Sequence, residues 1–311
     1  MRDGRSMISV VIPSYNSAET IEPCLASLSH QSYSGDYEII LADSSCDNTR
    51  QIVREKFPDV RLISFALRTD PGKARNAGIL EAKGDVLALI DSDCIAAQDW
   101  LEKIEAAHRS RYKAVGGVVY NGNHPRDLVG LAGYLAEFRE FLPEQPRQET
   151  WHIPTCNISY KREIFAEKGL FDGKYYPQED LVFNHRLCAD GERILLDPAI
   201  RVYHRHRSNL RDFLAHQRRI GEVTARVLPV ARLAGAAIVK NPLLSMLALP
   251  VLPVVKFIKT VAVFHGLKNG SISKNPKVLG IFALGLMYWA VGFGQGVCRA
   301  QRVERQQKEA L

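Results

Sequence analysis

Cysteine patterns that mark disulfide scaffolds or zinc sites are missing from this sequence. Its six cysteines are scattered, none forms a CxxC pair, and no Cys/His group has the spacing of zinc ligands. The N-terminal residues also lack the apolar stretch of a secretory signal. We therefore expect reduced thiols and a chain whose bulk lies in the cytoplasm.

Signals for nucleic-acid binding are missing as well. No basic run is interleaved with aromatic residues, and no nucleic-acid-binding motif occurs. The formal net charge is nevertheless +7, and the isoelectric point is near 9.1. That balance suits polyanionic ligands, anionic lipid or nucleic acid without choosing between them. Because no motif supports the last of these, we expect no nucleic-acid partner.

The first 120 residues alternate between apolar, β-rich runs and helix-like stretches. Such alternation predicts βαβ units and a mostly parallel sheet. Runs that are apolar throughout are typical of strands covered on both faces, and right-handed crossovers then give a doubly wound, Rossmann-like α/β fold. The predicted strands are Ile8–Ile12, Glu38–Ala42, Val60–Phe65, Val86–Ile90 and Ala114–Val119, with helices near 18–30, 47–57, 72–83 and 99–110.

Residues 120–240 have a less regular texture, without repeats or low-complexity segments. The pattern predicts helices near 127–142, 161–168, 179–190 and 209–228, and short strands at Arg193–Leu196 and Ile200–Tyr203.

The composition changes after Asn241-Pro242. Leu243–Val255 is uncharged but contains Pro250 and Pro253, and Val278–Cys298 gives 21 uncharged residues, about the length of one membrane span. We predict a C-terminal hydrophobic helical hairpin in the membrane, or one span plus one interfacial helix, with a pair of buried core helices as the alternative. A polar loop, 266–277, separates the segments, and a basic tail with Arg302, Arg305 and Lys308 follows.

Polar segments follow three predicted strands, and two of these segments are acidic. Pro13-Ser14-Tyr15-Asn16 follows the first strand, Asp43 the second, and Asp91-Ser92-Asp93 the fourth. In a doubly wound sheet these segments share the edge where ligands bind. Carboxylates gathered without a cation are unfavourable, so the pattern indicates a hard divalent ion, Mg²⁺ or Mn²⁺.

Five segments, in order, resemble motifs of family 2 glycosyltransferases, membrane-associated and bacterial in type, with the GT-A fold. They are Ile8–Asn16, Glu38–Asp43, Gly72–Gly78, Gly84–Asp93 and Glu179-Asp180. The resemblance extends over roughly residues 7–221, about two thirds of the chain. It implies a catalytic domain at 1–240, with a nucleotide-sugar half at about 1–120 and an acceptor half at about 121–240, before membrane-associated helices at 241–311.

On the donor side, the resemblance implies a nucleotide sugar bound near a metal. Asp93 is expected to ligate the metal, with Asp91 beside it and His204 as a further ligand. Asp43 is expected to accept a hydrogen bond from the base, which favours uracil. The remaining expected donor-binding residues are Pro13, Tyr15, Asn16, Arg75, Ser92, Gln217 and Arg219. The alternative for Asp43 is turn and cap hydrogen bonding, and the alternative for Tyr15 is core packing.

On the acceptor side, the resemblance implies that Asp180 is the general base, next to Glu179, with Asn157 on the floor of the sugar pocket. A base opposite the leaving group gives one in-line displacement and inverts the anomeric carbon. The alternative for Glu179-Asp180 is an acidic first helical turn, favoured by the helix dipole.

The resemblance therefore implies an inverting glycosyltransferase with a lipid-linked or glycan acceptor, acting in cell-surface polysaccharide or glycolipid assembly. The expected location is the inner membrane, with the catalytic domain in the cytoplasm. The departure of Gln217-Arg218-Arg219 from the QxxRW of processive synthases argues against polymerisation. Transfer to a polyprenyl phosphate and a non-catalytic nucleotide-sugar-binding module remain the alternatives.

Overall fold

A computed structural model describes residues 6–265 and 275–309, the side chains of 303–309 excepted. Most of the predicted polar loop at 266–277, and the side chains of Arg305 and Lys308, lie outside the described residues. The chain forms two compact units, Met1–Gly122 with Phe141–Arg205, and Asn123–Glu140 with His206–Leu311.

The first unit is built on one mixed sheet. Over the described residues the sheet has nine strands in the order β3-β2-β1-β4-β8-β6-β9-β5, with β7 paired to β9. The first four strands of this order are parallel, β8 is antiparallel to both neighbours, and β6 is parallel to β9. The bounds are β1 Ile8–Ser14, β2 Tyr37–Asp43, β3 Arg61–Ser64, β4 Val86–Leu89, β5 Cys94–Ala96, β6 Ala114–Asn121, β7 Gln148–Thr150, β8 Ile158–Lys161 and β9 Ile194–His204.

Helices cover this sheet as the sequence predicts. They are α1 Ile21–Ser29, α2 Thr49–Lys56, α3 Pro71–Glu81, α4 Trp100–His108, α6 Glu163–Lys168 and α7 Glu179–Ala189, with a short 3₁₀ turn at Gly173–Tyr175. Strands β1 and β4 are buried along their whole length, as expected for strands covered on both faces. The predicted α/β fold is confirmed, and the antiparallel strands gather in its second half.

The predicted strands Arg193–Leu196 and Ile200–Tyr203 are in fact one strand, β9. Pro198 lies between them and has no N–H to donate to a neighbouring strand. The pairing of β9 with β6 shifts register between Gly116 and Val118, so the ladder resumes beyond the proline. The sequence pattern therefore located both ends of the strand but read its irregular centre as a gap.

The second unit is helical in its described residues. Its helices are α5 Leu128–Glu137, α8 Leu210–Val230, α9 Ala236–Lys240, α10 Pro242–Ala248, α11 Val251–His265 and α12 Val278–Glu309. Asn209 caps α8 by accepting hydrogen bonds from the N–H groups of Arg211 and Asp212. A buried cluster joins α8, α9 and α12 through Ala225, Val239, Trp289, Phe293 and Val297.

One described helix, over Val278–Arg302, is long and apolar enough to cross a membrane. The first predicted apolar segment is instead divided into α10 and α11, which meet at 49°. Pro250 stands at that break, and a proline cannot continue the hydrogen bonding of the preceding helix.

Candidate active site

The loops that follow β1 and β2 are joined by polar contacts. The Asn16 N–H donates to Oγ of Ser45 at 2.7 Å, and the Cys46 N–H donates to Oδ1 of Asn16 at 3.0 Å. Asn16 has φ of +51°, a left-handed conformation that asparagine tolerates better than most residues. These contacts fix the shape of the edge at which the two strands end.

Asp43 is fully buried at the end of β2 and already has three hydrogen-bond donors. Ser45 donates its hydroxyl to Oδ1 at 2.6 Å and its N–H to Oδ2 at 3.0 Å, and Arg50 donates Nε to Oδ2 at 2.7 Å. A nucleotide base could bond to this carboxylate only by sharing an oxygen with Ser45 or Arg50. Base recognition by Asp43 stays a prediction.

Tyr15 is the exposed aromatic residue of this edge. The residue is 38% exposed, and the Arg68 guanidinium carbon lies 4.5 Å from the ring centroid. A guanidinium over an aromatic face is a stabilising cation–π arrangement. The pair offers a flat, positively charged surface to a planar, anionic ligand.

The Asp91-Ser92-Asp93 segment follows β4, and its three side chains have different partners. Ser92 shares a hydrogen bond with Ser17 between their Oγ atoms at 2.8 Å. Asp93 lies with Oδ1 at 3.5 Å from Nε2 of His204, and 37% of its side chain is exposed. The register that pairs β5 with β9 sets Cys94 opposite His204, which explains this approach of two residues far apart in sequence.

Asp93, Cys94 and His204 have potential ligand atoms within 4.8 Å of one another. Asp93 and His204 are two of the three predicted metal ligands. Cys94 is fully buried, and burial raises the pKa of its thiol, so its protonated form is favoured. A carboxylate and an imidazole are donors that Mn²⁺ and Mg²⁺ sites accept, whereas a protonated thiol is not a metal ligand.

Arg75 joins the donor-side segment to the predicted acceptor-side segment. Its Nη2 donates to Oδ1 of Asp91 at 2.5 Å, and its Nη1 donates to Oε1 of Glu179 at 2.8 Å. Burial alone would lower the pKa of Arg75, but the two carboxylates raise it, so the guanidinium stays charged. Burial raises the pKa of Glu179, and Arg75 opposes that rise.

Gly72, Asn76 and Gly78 contact neighbouring segments closely, and these contacts position Arg75 on α3. A Cβ at Gly72 would lie 3.1 Å from Cγ of Glu179, and one at Gly78 would lie 2.5 Å from Cγ1 of Val11. Asn76 exchanges two hydrogen bonds with the backbone of Phe171, at 2.8 and 3.0 Å. Helix α3 is thereby held against β1 on one side and against the segment before α7 on the other.

Asp180 lies in the first turn of α7, partly exposed. Its Oδ2 accepts hydrogen bonds from the Thr155 N–H at 3.1 Å and from Thr155 Oγ1 at 3.4 Å. Its Oδ1 accepts from the Leu181 N–H at 2.7 Å. The carboxylate is therefore oriented by two neighbouring segments while remaining accessible to solvent.

A family model for "Glycosyl transferase family 2" matches residues 9–169, just over half of the chain. This chain belongs to glycosyltransferase family 2. The match covers the three donor-side segments, Arg75 and Asn157, and it ends before Glu179-Asp180.

Named relatives agree with the family assignment. The chain is 36% identical over 190 residues to glycosyltransferase AglE of Haloferax volcanii, covering 59% of this chain and 62% of AglE. It is 29% identical over 221 residues to a validoxylamine A glucosyltransferase of Streptomyces hygroscopicus subsp. jinggangensis, covering 60% and 52%. The chain thus spans about half to three fifths of the length of these relatives.

Among solved structures, the mannosyltransferase PcManGT of Pyrobaculum calidifontis, in complex with GDP-Man and Mn²⁺, superposes with a TM-score of 0.60 at 19% identity. The match covers 94% of this chain and 88% of PcManGT. Residues 1–349 of S. aureus TarS with UDP give a TM-score of 0.53 at 17% identity, covering 92% and 90%. Both likenesses concern the GT-A fold.

Several predicted site residues of this family 2 chain have structural partners that account for them. Asn157 is buried, accepts a hydrogen bond from Trp100 Nε1 at 2.8 Å and donates to the carbonyls of Val118 and Ile200. Pro13 belongs to β1, where it pairs with Ala42. The donor and acceptor roles of these residues stay predictions.

Gln217 and Arg219 belong to the second unit, whereas the other predicted site residues belong to the first. Gln217 is buried and donates Nε2 to Oε1 of Glu137 at 3.0 Å. His216 also approaches Glu137, with 3.5 Å between Nε2 and Oε1. The predicted part of Gln217 and Arg219 in donor binding stays a prediction.

The sequence interpretation missed three side chains that shape the site. Arg50 pairs with Asp43, Arg68 covers Tyr15, and Thr155 holds Asp180. The first two lie in stretches without a motif, so no local signal separates them from other surface arginines. Thr155 lies two residues before Asn157, which the sequence assigned to the sugar pocket, and that proximity was the available signal.

Proposed function

We propose that this protein is an inverting, non-processive glycosyltransferase that moves a sugar from a nucleotide-sugar donor to an acceptor hydroxyl. The observation that supports it most is the Arg75 bridge. One buried guanidinium bonds to Asp91 of the donor-side segment and to Glu179, the neighbour of Asp180. Donor site and candidate base are thereby fixed relative to each other, as a single displacement requires.

In the proposed reaction, the Asp180 carboxylate removes the proton from the acceptor hydroxyl as that oxygen attacks the anomeric carbon. The new glycosidic C–O bond forms while the bond from the anomeric carbon to the diphosphate breaks, and the nucleoside diphosphate leaves with the electron pair. Attack opposite the leaving group inverts the anomeric carbon. Thr155 supports this role because its N–H and hydroxyl orient Asp180 from a separate segment.

A divalent cation fits the residues present. Asp93 offers an exposed carboxylate oxygen 3.5 Å from the imidazole Nε2 of His204, and PcManGT and GalNAc-T7 were both solved with Mn²⁺. We assign Asp93 and His204 as the side chains that would hold Mg²⁺ or Mn²⁺. Asp91, which Arg75 already holds, would stand beside the ion. When bound, the ion supplies positive charge against the departing diphosphate.

For the donor we propose a uridine diphosphate sugar that stacks its base near Tyr15 and Arg68. TarS was solved with UDP, whereas PcManGT was solved with GDP-Man, so the fold serves more than one base. The uridine proposal rests on Asp43, which is set at the end of β2 beside this edge. Pro13, Asn16 and Ser92 would shape the pocket through the backbone of the adjoining loops.

For the acceptor we propose a lipid-linked or glycan molecule at the cytoplasmic face of the inner membrane. One relative is the succinoglycan biosynthesis protein ExoO of Rhizobium meliloti, 30% identical over 198 residues. The apolar C-terminal helices and the net positive charge support a membrane-proximal location. We also propose that the catalytic domain ends near residue 240, where the membrane-associated helices begin.

The experiment that tests the function is a panel of nucleotide sugars scored by thermal shift, followed by donor hydrolysis with Mn²⁺ and with EDTA. Stabilisation by uridine diphosphate sugars and turnover lost in EDTA support the proposal. Turnover that persists in EDTA would contradict the metal assignment. Donor binding without any turnover, in the presence of lipid and glycan acceptors, would instead identify a binding module.

A further inference from the structure

In the second unit, the backbone of α12 lies directly against the backbone of α8. A Cβ at Gly292 would overlap the carbonyl oxygen of Arg218, and one at Gly221 would overlap that of Trp289. A Cβ at Gly285 would likewise overlap the ring of Phe213. Side chains cannot separate the two helices at these points, so α8 accompanies α12 through the middle of its apolar stretch.

Helix α8 is too highly charged to lie in the hydrocarbon core of a membrane. It carries six charged residues, and the backbones of Arg218 and Glu222 lie against Gly292, within the apolar stretch of α12. Charged side chains at the bilayer centre are strongly disfavoured. A crossing α12 would bring these charges to mid-depth, so this packing argues against a transmembrane α12.

The outward faces of α10, α11 and α12 are nevertheless apolar. Eight of their large apolar side chains are more than half exposed: Leu243, Met246, Leu247, Val251, Val254, Ile258, Met287 and Val291. Helix α11 packs on the rest of the unit through Thr260 and Phe264, which are buried, and turns Val254 and Ile258 outward. An amphipathic helix with this distribution lies in the membrane interface with its apolar face down.

A groove opens between the elbow of α10 and α11 and the C-terminal half of α12. Its volume is about 760 Å³, and Leu249, Pro250 and Val291 are among its apolar lining residues. Three arginines also line it: Arg218, Arg299 and Arg302. Glu222 pairs with Arg299, and Arg218 donates Nε to Oε1 of Gln295 at 3.0 Å. None of the described lining residues carries a carboxylate, and with Arg299 paired to Glu222 the groove keeps two further positive charges beside an apolar wall.

We propose that the second unit binds one leaflet of an anionic membrane without crossing it, and that the arginine groove receives the phosphate headgroup of an anionic phospholipid. The guanidinium groups match phosphate oxygens, and the apolar wall matches the start of an acyl chain. The inference rests on the membrane location in the proposed function and specifies its form. It needs neither donor nor turnover, so its tests fail independently of the catalytic proposal.

The first test is flotation of the full chain with vesicles of phosphatidylcholine, with or without phosphatidylglycerol. We expect binding to the anionic vesicles and about tenfold weaker binding by Arg218→Gln/Arg302→Gln. The matched control is Arg226→Gln/Lys240→Gln, which removes the same charge at exposed positions outside the groove. An equal loss of vesicle binding in both double variants would contradict a headgroup site in the groove. It would show that only the overall positive charge of the protein attracts it to the membrane.

Inorganic phosphate and glycerol phosphate distinguish a lipid headgroup from a soluble phosphate. Millimolar amounts of either, at constant ionic strength, should leave vesicle binding within about twofold, because they lack the acyl chain that contacts the apolar wall. Complete displacement of the protein from the vesicles by glycerol phosphate would contradict the lipid assignment and identify a soluble phosphate as the occupant.

The second test concerns crossing. Single cysteines are placed at the two ends of α12, as Lys277→Cys or Arg302→Cys, with the exposed Cys46 and Cys298 changed to serine. A membrane-impermeant maleimide is added to inverted membrane vesicles from bacterial cells that express the full chain. We expect both positions to react without detergent. Protection of one end until detergent is added would show that α12 crosses the membrane and would refute the proposal.

Discussion

The guanidinium of Arg75 lies 2.8 Å from the carboxylate of Glu179, although 104 positions separate the two residues in the chain. Both side chains are only 4% exposed. The contact joins α3 to the first turn of α7 and therefore sets where Asp180 lies. A buried ion pair of this kind is strongly sensitive to the loss of one partner.

Arg75→Met should lower the free energy of unfolding by roughly 3–5 kcal/mol, because it leaves the Glu179 carboxylate buried without its cation. Turnover should fall about a hundredfold in the protein that remains folded, since Asp91 also loses its partner. Urea denaturation and donor hydrolysis measure the two effects. Lys73→Met is the control, because it removes an exposed cation from the same helix and should change stability by at most about 0.5 kcal/mol.

Asp180→Asn should reduce sugar transfer by about 10²–10⁴-fold and leave donor-induced thermal stabilisation unchanged. The amide keeps an oxygen for the Thr155 hydrogen bonds but cannot remove a proton. Asp190→Asn, an exposed change just after the same helix, serves as the comparison. Full activity of Asp180→Asn would contradict a base role and favour an acceptor that is already an anion, such as a polyprenyl phosphate.

Asp93→Asn and His204→Gln should each weaken Mn²⁺ binding by at least about tenfold, because each removes a donor from the proposed site. Cys94→Ala should change Mn²⁺ affinity by less than about threefold, since Mn²⁺ prefers oxygen and imidazole ligands to thiols. Calorimetric titration with Mn²⁺ alone measures all three. A large loss in Cys94→Ala would show that the thiol is a ligand.

Tyr15→Ala should weaken nucleotide binding by about tenfold, because stacking on an aromatic ring contributes roughly 1–3 kcal/mol per base. Tyr15→Phe should bind normally, since it keeps the ring beside Arg68. Fluorescence titration with UDP compares the variants. Equal affinity in Tyr15→Ala and the original protein would place the base elsewhere.

Stability should fall in acid because of His108. Burial and nearby Lys161 lower the pKa of His108 to about 3, whereas an unfolded histidine titrates near 6.5. The unfolded state therefore binds more protons between these values, so this contribution is complete above about pH 6.5 and is lost as the pH falls toward 3. From pH 7.5 to 5.0 the loss should be about 2 kcal/mol.

Urea denaturation of His108→Gln at both pH values isolates this contribution, because glutamine does not titrate. The variant should lose about 2 kcal/mol less than the original protein over the same interval. A glutamine can keep a hydrogen bond to Ser159, which now lies 2.9 Å from Nε2 of His108. Parallel pH dependence in both proteins would assign the acid sensitivity to other groups.

The βαβ alternation identified the sheet because strand and helix periodicities are local properties of the chain. Strands β1, β2, β3, β4 and β6 all lie within a few residues of their predicted bounds. The short strands β5, β7 and β8 were not predicted, because none of them lies in an apolar run long enough to show a strand pattern. Their existence depends on partners contributed by distant segments.

Motif positions were likewise predictable, but the partners of each motif residue were not. The Gly72–Gly78 segment was recognised as a unit, yet only the structure separates Arg75, which bonds to charged groups, from Asn76, which holds the Phe171 backbone. Asp43 and Asn157 show the same limit, since their buried hydrogen bonds come from side chains and carbonyls that no motif contains.

The fold class, the family and the order of the acidic segments could be predicted from the chain alone, because each follows from a local residue pattern. The folded molecule was needed to show that Arg75 connects Asp91 to Glu179, that His204 lies beside Asp93, and that α8 lies against α12. Those contacts join residues far apart in sequence. Their formation depends on strand register and helix packing, which a local pattern does not specify.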